Sequence, residues 1–306
     1  MQVAYLKLTE KEIQIRAQGA RELLNPCRLC PRECNVNRLK KSNGFCKIGE
    51  KPVISSYNLH FGEEAPLVGR EGSGTIFFTS CNLACVYCQN YDISHLKQGK
   101  EVSIEKLALM MTELQDRGAN NINFVSPTIW VPQIIEALIV ARNQGLNVPL
   151  VYNSGGYDSV KTLKLLDGII DIYMPDFKYS DSGLAKKYSG INNYFSVAKK
   201  AIKEMHRQAG DLIINKHDLA EKGLLIRHLI LPDNIAGTEK VMKFLALISK
   251  GTYINIMDQY RPVYKAGKYR ELNRGITQEE YEKAIEIAKE KGLHRFDKKE
   301  SRILFF

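Results

Sequence analysis

Short apolar runs alternate with longer amphipathic stretches from Gly74 onward. The apolar runs are rich in β-branched residues and cover 75–79, 121–125, 148–152, 169–174, 224–231 and 253–257. Runs of this length and composition predict β-strands, and strands that alternate with helices predict repeated βα units around a parallel sheet. We therefore expect six parallel strands.

The stretches between these runs carry helix signals. They cover 104–117, 131–144, 159–167, 197–210, 239–250 and 278–291. Ser103, Asp158 and Thr238 stand where they could cap the first turn of a helix. Thr277 and Glu280 have the spacing of a capping box before the last helix. The sequence therefore predicts helices after each of the first five strands and one more after the sixth.

The pattern changes before Gly74. A helical lead-in is followed by a segment rich in proline, arginine and cysteine that has little periodicity. Such a segment cannot build an apolar core of its own, so a metal is its expected organiser. We predict three parts: a lead-in with a metal-binding module at 1–66, a main domain at 67–262 and an extension at 263–306.

Composition and charge narrow the class of protein. The 306 residues are 44% hydrophobic and 25% charged, which is typical of a globular chain, and the formal net charge is +10. Because lysine and arginine are spread along the chain, a solvated surface is expected rather than a nucleic-acid interface. Docking of an acidic electron-transfer protein is a weaker alternative. No apolar run resembles a signal peptide or a membrane span, so a soluble cytoplasmic protein is expected.

The seven cysteines form two groups. Cys27, Cys30, Cys34 and Cys46 have the spacing C-x2-C-x3-C-x11-C, and Cys81, Cys85 and Cys88 have the spacing C-x3-C-x2-C. Clustered thiols in a cytoplasmic protein are more often metal ligands or catalysts than disulfides. Two metal sites are therefore expected, one with four thiols and one with three.

The three-cysteine group begins directly after the first strand of the main domain, where βα folds gather their chemistry. A 4Fe–4S cluster takes four ligands, so three cysteines would leave one iron open. An open iron can chelate the amino and carboxylate groups of a small molecule. The alternative is a zinc loop that lacks its fourth ligand.

The sequence motifs around these cysteines resemble those of a known superfamily. The pattern C-x3-C-x-Φ-C, with aromatic Tyr87 before the last cysteine, looks like the cluster motif of radical S-adenosylmethionine (SAM) enzymes. The stretches "HFGEEAPLVGREGSGTIFFTSCNLACVYCQNYDIS", "DIYMPDFKY", "LIRHLILP" and "MDQYRP" are similar to proteins related to pyruvate formate-lyase activating enzyme that carry an additional N-terminal cysteine motif. The resemblance covers about residues 25–290.

The resemblance implies a fold and a chemistry. The fold is a partial (β/α)6 TIM-like barrel with a small four-cysteine module before it and a helical extension after it. A 4Fe–4S cluster on Cys81, Cys85 and Cys88 would bind SAM and cleave it to a 5′-deoxyadenosyl radical, which abstracts hydrogen from an unidentified substrate. No catalytic side chain beyond the cluster ligands is assigned. A flavodoxin or ferredoxin is the implied electron donor.

Two departures from the family stand out. Ser80 occupies a position where close relatives usually have glycine, so the local turn could differ. The family's Gly-Gly-Glu after the second strand is replaced by "FVSPT". Ser126 and Thr128 would then orient the SAM amino group, or they could equally serve the turn before Pro127.

Other strand ends offer polar side chains that resemble SAM contacts. Asn153 and Ser154 are expected to meet the ribose or carboxylate of SAM, with an ordinary turn as the alternative. Asp176 and Lys178 could bind polar parts of SAM or substrate, or pair only with each other. Arg227 is expected to bind the SAM carboxylate or ribose because a guanidinium fork suits an anionic group.

Neighbouring residues on a strand face opposite sides, so Arg227 and His228 should point in opposite directions. A lone histidine within an apolar strand is more often a core residue than a functional one. Glu63 and Glu64 lie in a segment that could fold over the barrel mouth, although adjacent carboxylates are usually exposed.

The four-cysteine group is a complete ligand set. Four thiolates suit tetrahedral zinc and suit an iron–sulfur cluster equally well, and the compact C-x2-C slightly favours zinc.

Three functions follow. The first two are radical enzymes, one that activates a glycyl-radical enzyme and one that modifies a small molecule or peptide. The third, from another class, is a zinc-stabilised nucleic-acid-binding protein.

Overall fold

A computed structural model describes residues 3–40 and 44–297. The strands are β1 Val53–His60, β2 Ser73–Phe78, β3 Lys100–Glu101, β4 Ile122–Val125, β5 Leu150–Ser154, β6 Ile172–Pro175, β7 Ile213–Ile214, β8 Ala220–Leu229, β9 Tyr253–Met257 and β10 Arg295–Phe296. The helices are α1 Glu10–Glu22, α2 Ala65–Val68, α3 Tyr91–Ser94, α4 Ile104–Asp116, α5 Val131–Asn143, α6 Val160–Leu165, α7 Ser182–Ser189, α8 Tyr194–Ala209, α9 Thr238–Ile248 and α10 Gln278–Glu290. Short 3₁₀ turns connect several of them.

One sheet organises the chain, in the order β10-β9-β8-β6-β5-β4-β2-β1-β3, with β7 beside β8. Strands β2, β4, β5, β6, β8 and β9 are parallel to one another, and β10 continues this direction. β1 is antiparallel to β2, and β3 is antiparallel to β1. Among the described residues the two ends of the sheet do not pair, so the barrel is partial, as the sequence predicted.

The two faces of the sheet bury different residues. Tyr152 and Tyr173 point to the main core, which lies between sheet and helices, whereas Val151 and Ile172 belong to a smaller cluster on the inner face. This division follows from the alternation of side chains along a strand. Leu67 of α2 joins the inner cluster, so the segment before β2 fills the barrel at the amino ends of its strands.

The six predicted strands and six predicted helices are all present. Ser103 caps α4, and Thr277 forms the predicted capping box of α10. Asp158 does not cap α6, because its carboxylate accepts hydrogen bonds from other side chains, and the residue that caps α9 is Gly237 rather than Thr238.

The sequence reasoning missed β1, whose residues lie before the predicted boundary at 66 but pair with β2 along most of its length. It also missed α7. The lead-in forms α1, which packs against α5 and α6. No described helix has both the length and the apolar character that crossing a lipid bilayer requires.

Candidate active site

A cleft opens at the carboxyl ends of the parallel strands. Its lining includes the predicted residues Cys81, Cys85, Tyr87, Cys88, Ser126, Asn153, Ser154, Asp176, Lys178 and Arg227. Residues far apart in sequence meet here because parallel strands bring their carboxyl ends to one edge of the sheet. Of the residues predicted to contact the cofactor, Thr128 is not part of the lining.

The three cysteines lie in a loop that leaves β2. The backbone N–H of Ala84 donates to Ser189 O (3.3 Å), and that of Val86 donates to Tyr188 O (2.8 Å). On the other side, Lys265 N donates to Val86 O (2.9 Å). The loop is therefore held by α7 and by the chain after β9. The sequence of the loop does not predict these two contacts.

Each sulfur of the loop has a hydrogen-bonding neighbour. Leu83 N donates to Cys81 Sγ (3.4 Å), and the Ser189 hydroxyl donates to Cys85 Sγ (3.0 Å). Ser94 Oγ lies 3.1 Å from Cys88 Sγ. Burial raises the pKa values of Cys81 and Cys85, so both are protonated thiols at neutral pH until a metal displaces the proton.

A charged network faces the cysteines from β6 and β8. Arg227 Nε donates to Asp176 Oδ1 (2.8 Å), and Lys178 Nζ donates to Asp176 Oδ2 (2.6 Å). Arg227 also donates to Asn153 Oδ1 (2.7 Å) and lies 3.7 Å from a carboxylate oxygen of Glu63. Asp176 and Lys178 do pair with each other, and the network also links them to two further strands.

The network keeps its members charged although it is buried. Burial would raise the pKa of Asp176, but Arg227 and Lys178 outweigh it and lower the pKa. Burial would likewise lower the pKa of Lys178, and the Asp176 carboxylate raises it instead. Arg227 and Lys178 supply two cations, and Asp176 and Glu63 supply two carboxylates. The network is therefore charge-balanced, and what it offers an anionic ligand group is its guanidinium and ammonium N–H donors.

Glu63 and Glu64 lie inside the barrel rather than in solvent. Both are buried, and Asn255 Nδ2 of β9 donates to Glu64 Oε1 (2.8 Å). The other carboxylate oxygen of Glu64 is buried without a hydrogen-bond partner among the described residues. Asn255 was not singled out from the sequence, although a polar residue within an otherwise apolar strand is the signal that would have found it.

Two predicted SAM contacts have their hydroxyls engaged elsewhere. Thr128 and Ser154 each donate to the carboxylate of Asp158, both at 2.6 Å, and Tyr152 donates to it at 2.9 Å. Burial raises the pKa of Asp158, and these three hydroxyls oppose the shift. The group holds the turns after β4 and β5 in place, which is the turn alternative weighed for Thr128 and Ser154. Ser126 has a left-handed backbone (φ 61°) and lines the cleft.

Tyr87 was predicted to contact the cofactor, whereas His228 was expected to be a core residue. Tyr87 is buried at the cleft, with its ring edge-on to Tyr179 and Tyr260. His228 points away from the cleft, where Nδ1 lies 2.6 Å from Phe177 O and Nε2 lies 3.0 Å from the Thr238 hydroxyl. Burial lowers the pKa of His228 to about 4. The prediction that Arg227 and His228 face opposite sides is confirmed.

Comparison with known proteins agrees with this geometry. Residues 75–216 match the family model of the radical SAM superfamily. The chain is 33% identical over 291 residues to an uncharacterized protein of Methanocaldococcus jannaschii, which covers 92% of this chain and 79% of that protein. The chain belongs to the radical SAM superfamily.

More distant similarities agree with this placement. The chain is 25% identical over 249 residues to the pyruvate formate-lyase-activating enzyme of Clostridium pasteurianum, which covers 78% of this chain and 95% of that enzyme. The structure resembles that of HydG, a maturase of FeFe hydrogenase, with a TM-score of 0.51 over 95% of this chain and 63% of that one, at 13% identity. This second likeness concerns the fold alone.

Radical SAM enzymes bind a 4Fe–4S cluster and SAM, and the cleft fits both. Three thiols are the soft ligands that iron–sulfur clusters require. Gly155 faces the cysteine loop so closely that a Cβ there would lie 2.5 Å from Leu83 Cδ1, which keeps this wall of the cleft to bare backbone. The ion-pair network of Asp176, Lys178 and Arg227 lines the same cleft as the thiols.

The other four cysteines line a second, smaller pocket. Cys27, Cys30, Cys34 and Cys46 surround it, together with Arg38 and Asn82. Burial raises the pKa of Cys30 to about 12. In the part of the chain that the structure describes, no three metal-ligating side chains are close enough to hold a single metal ion as they stand.

Proposed function

We propose that this protein is a radical SAM enzyme whose cluster is held by Cys81, Cys85 and Cys88. The observation that carries the proposal is the cleft itself, where three thiols and a buried ion-pair network lie together at the carboxyl ends of a parallel sheet. When bound and reduced, the cluster supplies the electron that cleaves SAM and starts hydrogen abstraction from a substrate.

The side chains of the cleft bind and orient in this proposal. Arg227, held by Asp176 and Asn153, would bind the carboxylate or ribose of SAM. Lys178 would add a second positive charge, and Tyr87 would offer a ring beside the cluster. Ser126 would contact the SAM amino group. The assigned side chains position the cofactor, and none of them acts as an acid or base.

The substrate proposed first is a backbone Cα–H of a glycyl-radical enzyme. This rests on the similarity to a protein named pyruvate formate-lyase-activating enzyme, which extends over nearly all of that relative. A flavodoxin or ferredoxin would supply the electron. Modification of a small molecule or peptide is the alternative.

Anaerobic reconstitution with iron and sulfide tests the reaction type. The reduced protein should convert SAM to 5′-deoxyadenosine, measured by liquid chromatography, and Cys85→Ala should abolish this. Thr112→Ala is the matched control, since within the described residues its buried hydroxyl donates to carbonyls of its own helix and to no other group. Retained cleavage in Cys85→Ala would refute the ligand assignment.

The substrate needs a separate test. The reduced protein, SAM and the product of a neighbouring gene would be mixed anaerobically and examined by electron paramagnetic resonance. A stable protein radical on that partner supports glycyl-radical activation. SAM consumption without a protein radical, and with a mass change in a peptide or metabolite, supports the alternative.

A further inference from the structure

The four-cysteine pocket contains buried guanidinium groups that lack acceptors. Arg38 is 1% exposed and lines the pocket. Two of its nitrogens donate to Ile129 O (2.8 Å) and Gly49 O (2.9 Å), but Nε has no partner among the described residues. One terminal nitrogen of Arg32 is also buried there without an acceptor. Unpaired buried donors are costly, so the pocket calls for an anionic group with acceptor atoms.

The pocket also touches the cysteine loop of the cleft directly. The Ser80 hydroxyl donates to Cys46 O (2.7 Å), one residue before Cys81. Ser80 has a left-handed backbone (φ 70°), which glycine adopts without strain. Serine is less suited than glycine to this left-handed backbone conformation. Its hydroxyl, however, forms a hydrogen bond with the four-cysteine segment that glycine could not form.

A second contact runs through Arg32. Its Nε donates to the backbone carbonyl of Asn82 (2.5 Å), the residue that follows Cys81. The next residue, Leu83, donates its N–H to the Cys81 sulfur. The Arg32 guanidinium lies 3.4 Å from the ring centroid of Phe45, and Phe45 N donates to Cys34 Sγ (3.5 Å). Successive contacts thus lead from a sulfur of one cysteine group to a sulfur of the other.

We propose that Cys27, Cys30, Cys34 and Cys46 bind a second 4Fe–4S cluster, coupled to the first cysteine loop through Arg32, Asn82 and Ser80. Its four thiolates complete the coordination of every iron, so this cluster has no open position for SAM.

The buried guanidiniums favour a cluster over zinc. A tetrahedral zinc site offers only its four thiolate sulfurs as acceptors, whereas a cubane adds inorganic sulfides that can reach donors on more than one wall of the pocket. Arg32 and Arg38 would also balance the negative charge of the thiolate-bound cluster.

The redox step moves one electron and breaks no bond. With a cluster bound, the four cysteines would hold a group able to take one electron from a reduced donor of the ferredoxin or flavodoxin class, which would be oxidised by one electron, and to pass it on to the loop of Cys81. Phe45 is 43% exposed, so this route reaches the surface. The electron path rests on the proposed function, whereas the second cluster does not.

Metal and sulfide analysis of the intact reconstituted protein tests the second cluster. We expect roughly eight irons and eight sulfides per chain. Replacing all four cysteines of the module with serine should lower both twofold, and replacing Cys81, Cys85 and Cys88 should do the same. Wild-type protein with one zinc and half that iron would overturn the proposal, and this result does not depend on whether any variant folds.

The coupling has its own test. Arg32→Gln removes a positive charge beside the pocket, so it should lower the midpoint potential of the four-cysteine cluster in an anaerobic titration followed by electron paramagnetic resonance. Arg28→Gln is the control, because this exposed arginine of the same segment contacts Asn35 instead. Equal potentials in wild type and Arg32→Gln would refute the coupling.

The two proposals fail differently. Two clusters without SAM cleavage would defeat the proposed function and leave the second cluster standing. SAM cleavage by a protein with one cluster and one zinc would support the proposed function and refute the second cluster.

Discussion

One hydrogen bond to a thiol of the cleft comes from a residue distant in sequence. The Ser189 hydroxyl donates to Cys85 Sγ and lies 2.8 Å from the hydroxyl of Tyr179, all of it buried. Donors to cluster sulfurs stabilise the reduced state, because reduction adds negative charge to the sulfurs. Under the proposed function, Ser189 would therefore position Cys85 and raise the midpoint potential of the cluster.

Ser189→Ala should lower the midpoint potential of the SAM-binding cluster while the iron content stays unchanged. The removed hydroxyl no longer offsets the charge that reduction adds to Cys85 Sγ. A redox titration followed by electron paramagnetic resonance measures the shift. Ser196→Ala, on an exposed position of α8, should leave the potential where it is. A potential that is the same in both variants would contradict the role given to Ser189.

Arg227→Gln should weaken SAM binding by about tenfold, or about 1.4 kcal/mol, because the cation that faces the ligand is lost. Calorimetric titration of the reconstituted protein with SAM measures it. Arg227→Lys should not restore affinity, since an ammonium cannot bond Asp176 and Asn153 with the same fork. Arg274→Gln, in a surface ion-pair group, is the control. Wild-type affinity in Arg227→Gln would remove Arg227 from the proposed site.

The opposed directions of Arg227 and His228 were predictable because strand periodicity alone decides them. The engagement of Thr128 and Ser154 was not, because it depends on Asp158, whose carboxylate meets both hydroxyls only after two βα turns have folded together. Their positions in the sequence correctly put both residues at the carboxyl ends of strands. The direction of each hydroxyl depends on which residues the tertiary fold brings next to it.

Helices and strands with a hydrophobic pattern of their own could be predicted from the sequence. Those that form because of contacts with another part of the chain could not. The six parallel strands are short buried runs between amphipathic helices, and each was found. β1 reads "VISSYNLH" and is largely exposed on one side, so its extended form follows from pairing with β2 rather than from alternation. α7 is short and polar, and it is fixed by the cysteine loop that it supports.

Leu67 belongs to α2, a helix of one turn, and its side chain packs in the hydrophobic cluster on the inner face of the barrel. Leu67→Ala should lower the free energy of unfolding by about 2–5 kcal/mol, since a fully buried side chain would leave a cavity among rigid strands. Anaerobic urea unfolding measures the change. Leu247→Ala, whose side chain on α9 is 78% exposed, should change it by less than about 0.5 kcal/mol. Equal effects would show that α2 does not support the barrel.

At the scale of the whole molecule, buried titratable groups make stability depend on pH. His228 has a pKa lowered by burial to about 4, so the unfolded chain binds a proton before the folded chain does. Its contribution is complete above the unfolded pKa of about 6.5 and is lost as pH falls toward 4. Asp171 acts in the opposite sense, because burial raises its pKa to about 6 and acid then favours the folded state.

His228→Asn should remove the first of these contributions and leave the second. Between pH 6.5 and 4 the wild-type protein should lose about 3 kcal/mol more unfolding free energy than the variant. Anaerobic urea unfolding at several pH values gives the difference, in which the effect of Asp171 cancels. Parallel curves for the two proteins would show that His228 is not kept neutral by the fold.

The sheet ends on each side in a very short strand. Within the residues that the structure describes, β3 and β10 end the sheet on its two sides, and each is two residues long. Lys100 and Glu101 of β3 are both exposed and charged. A long strand with an open edge is a template for another copy of the chain, and charged residues at such an edge oppose that pairing. Among the described residues β3 pairs with β1 only at Val53 and Ile54. The charged β3 therefore limits pairing with a second copy of the chain at that end of β1.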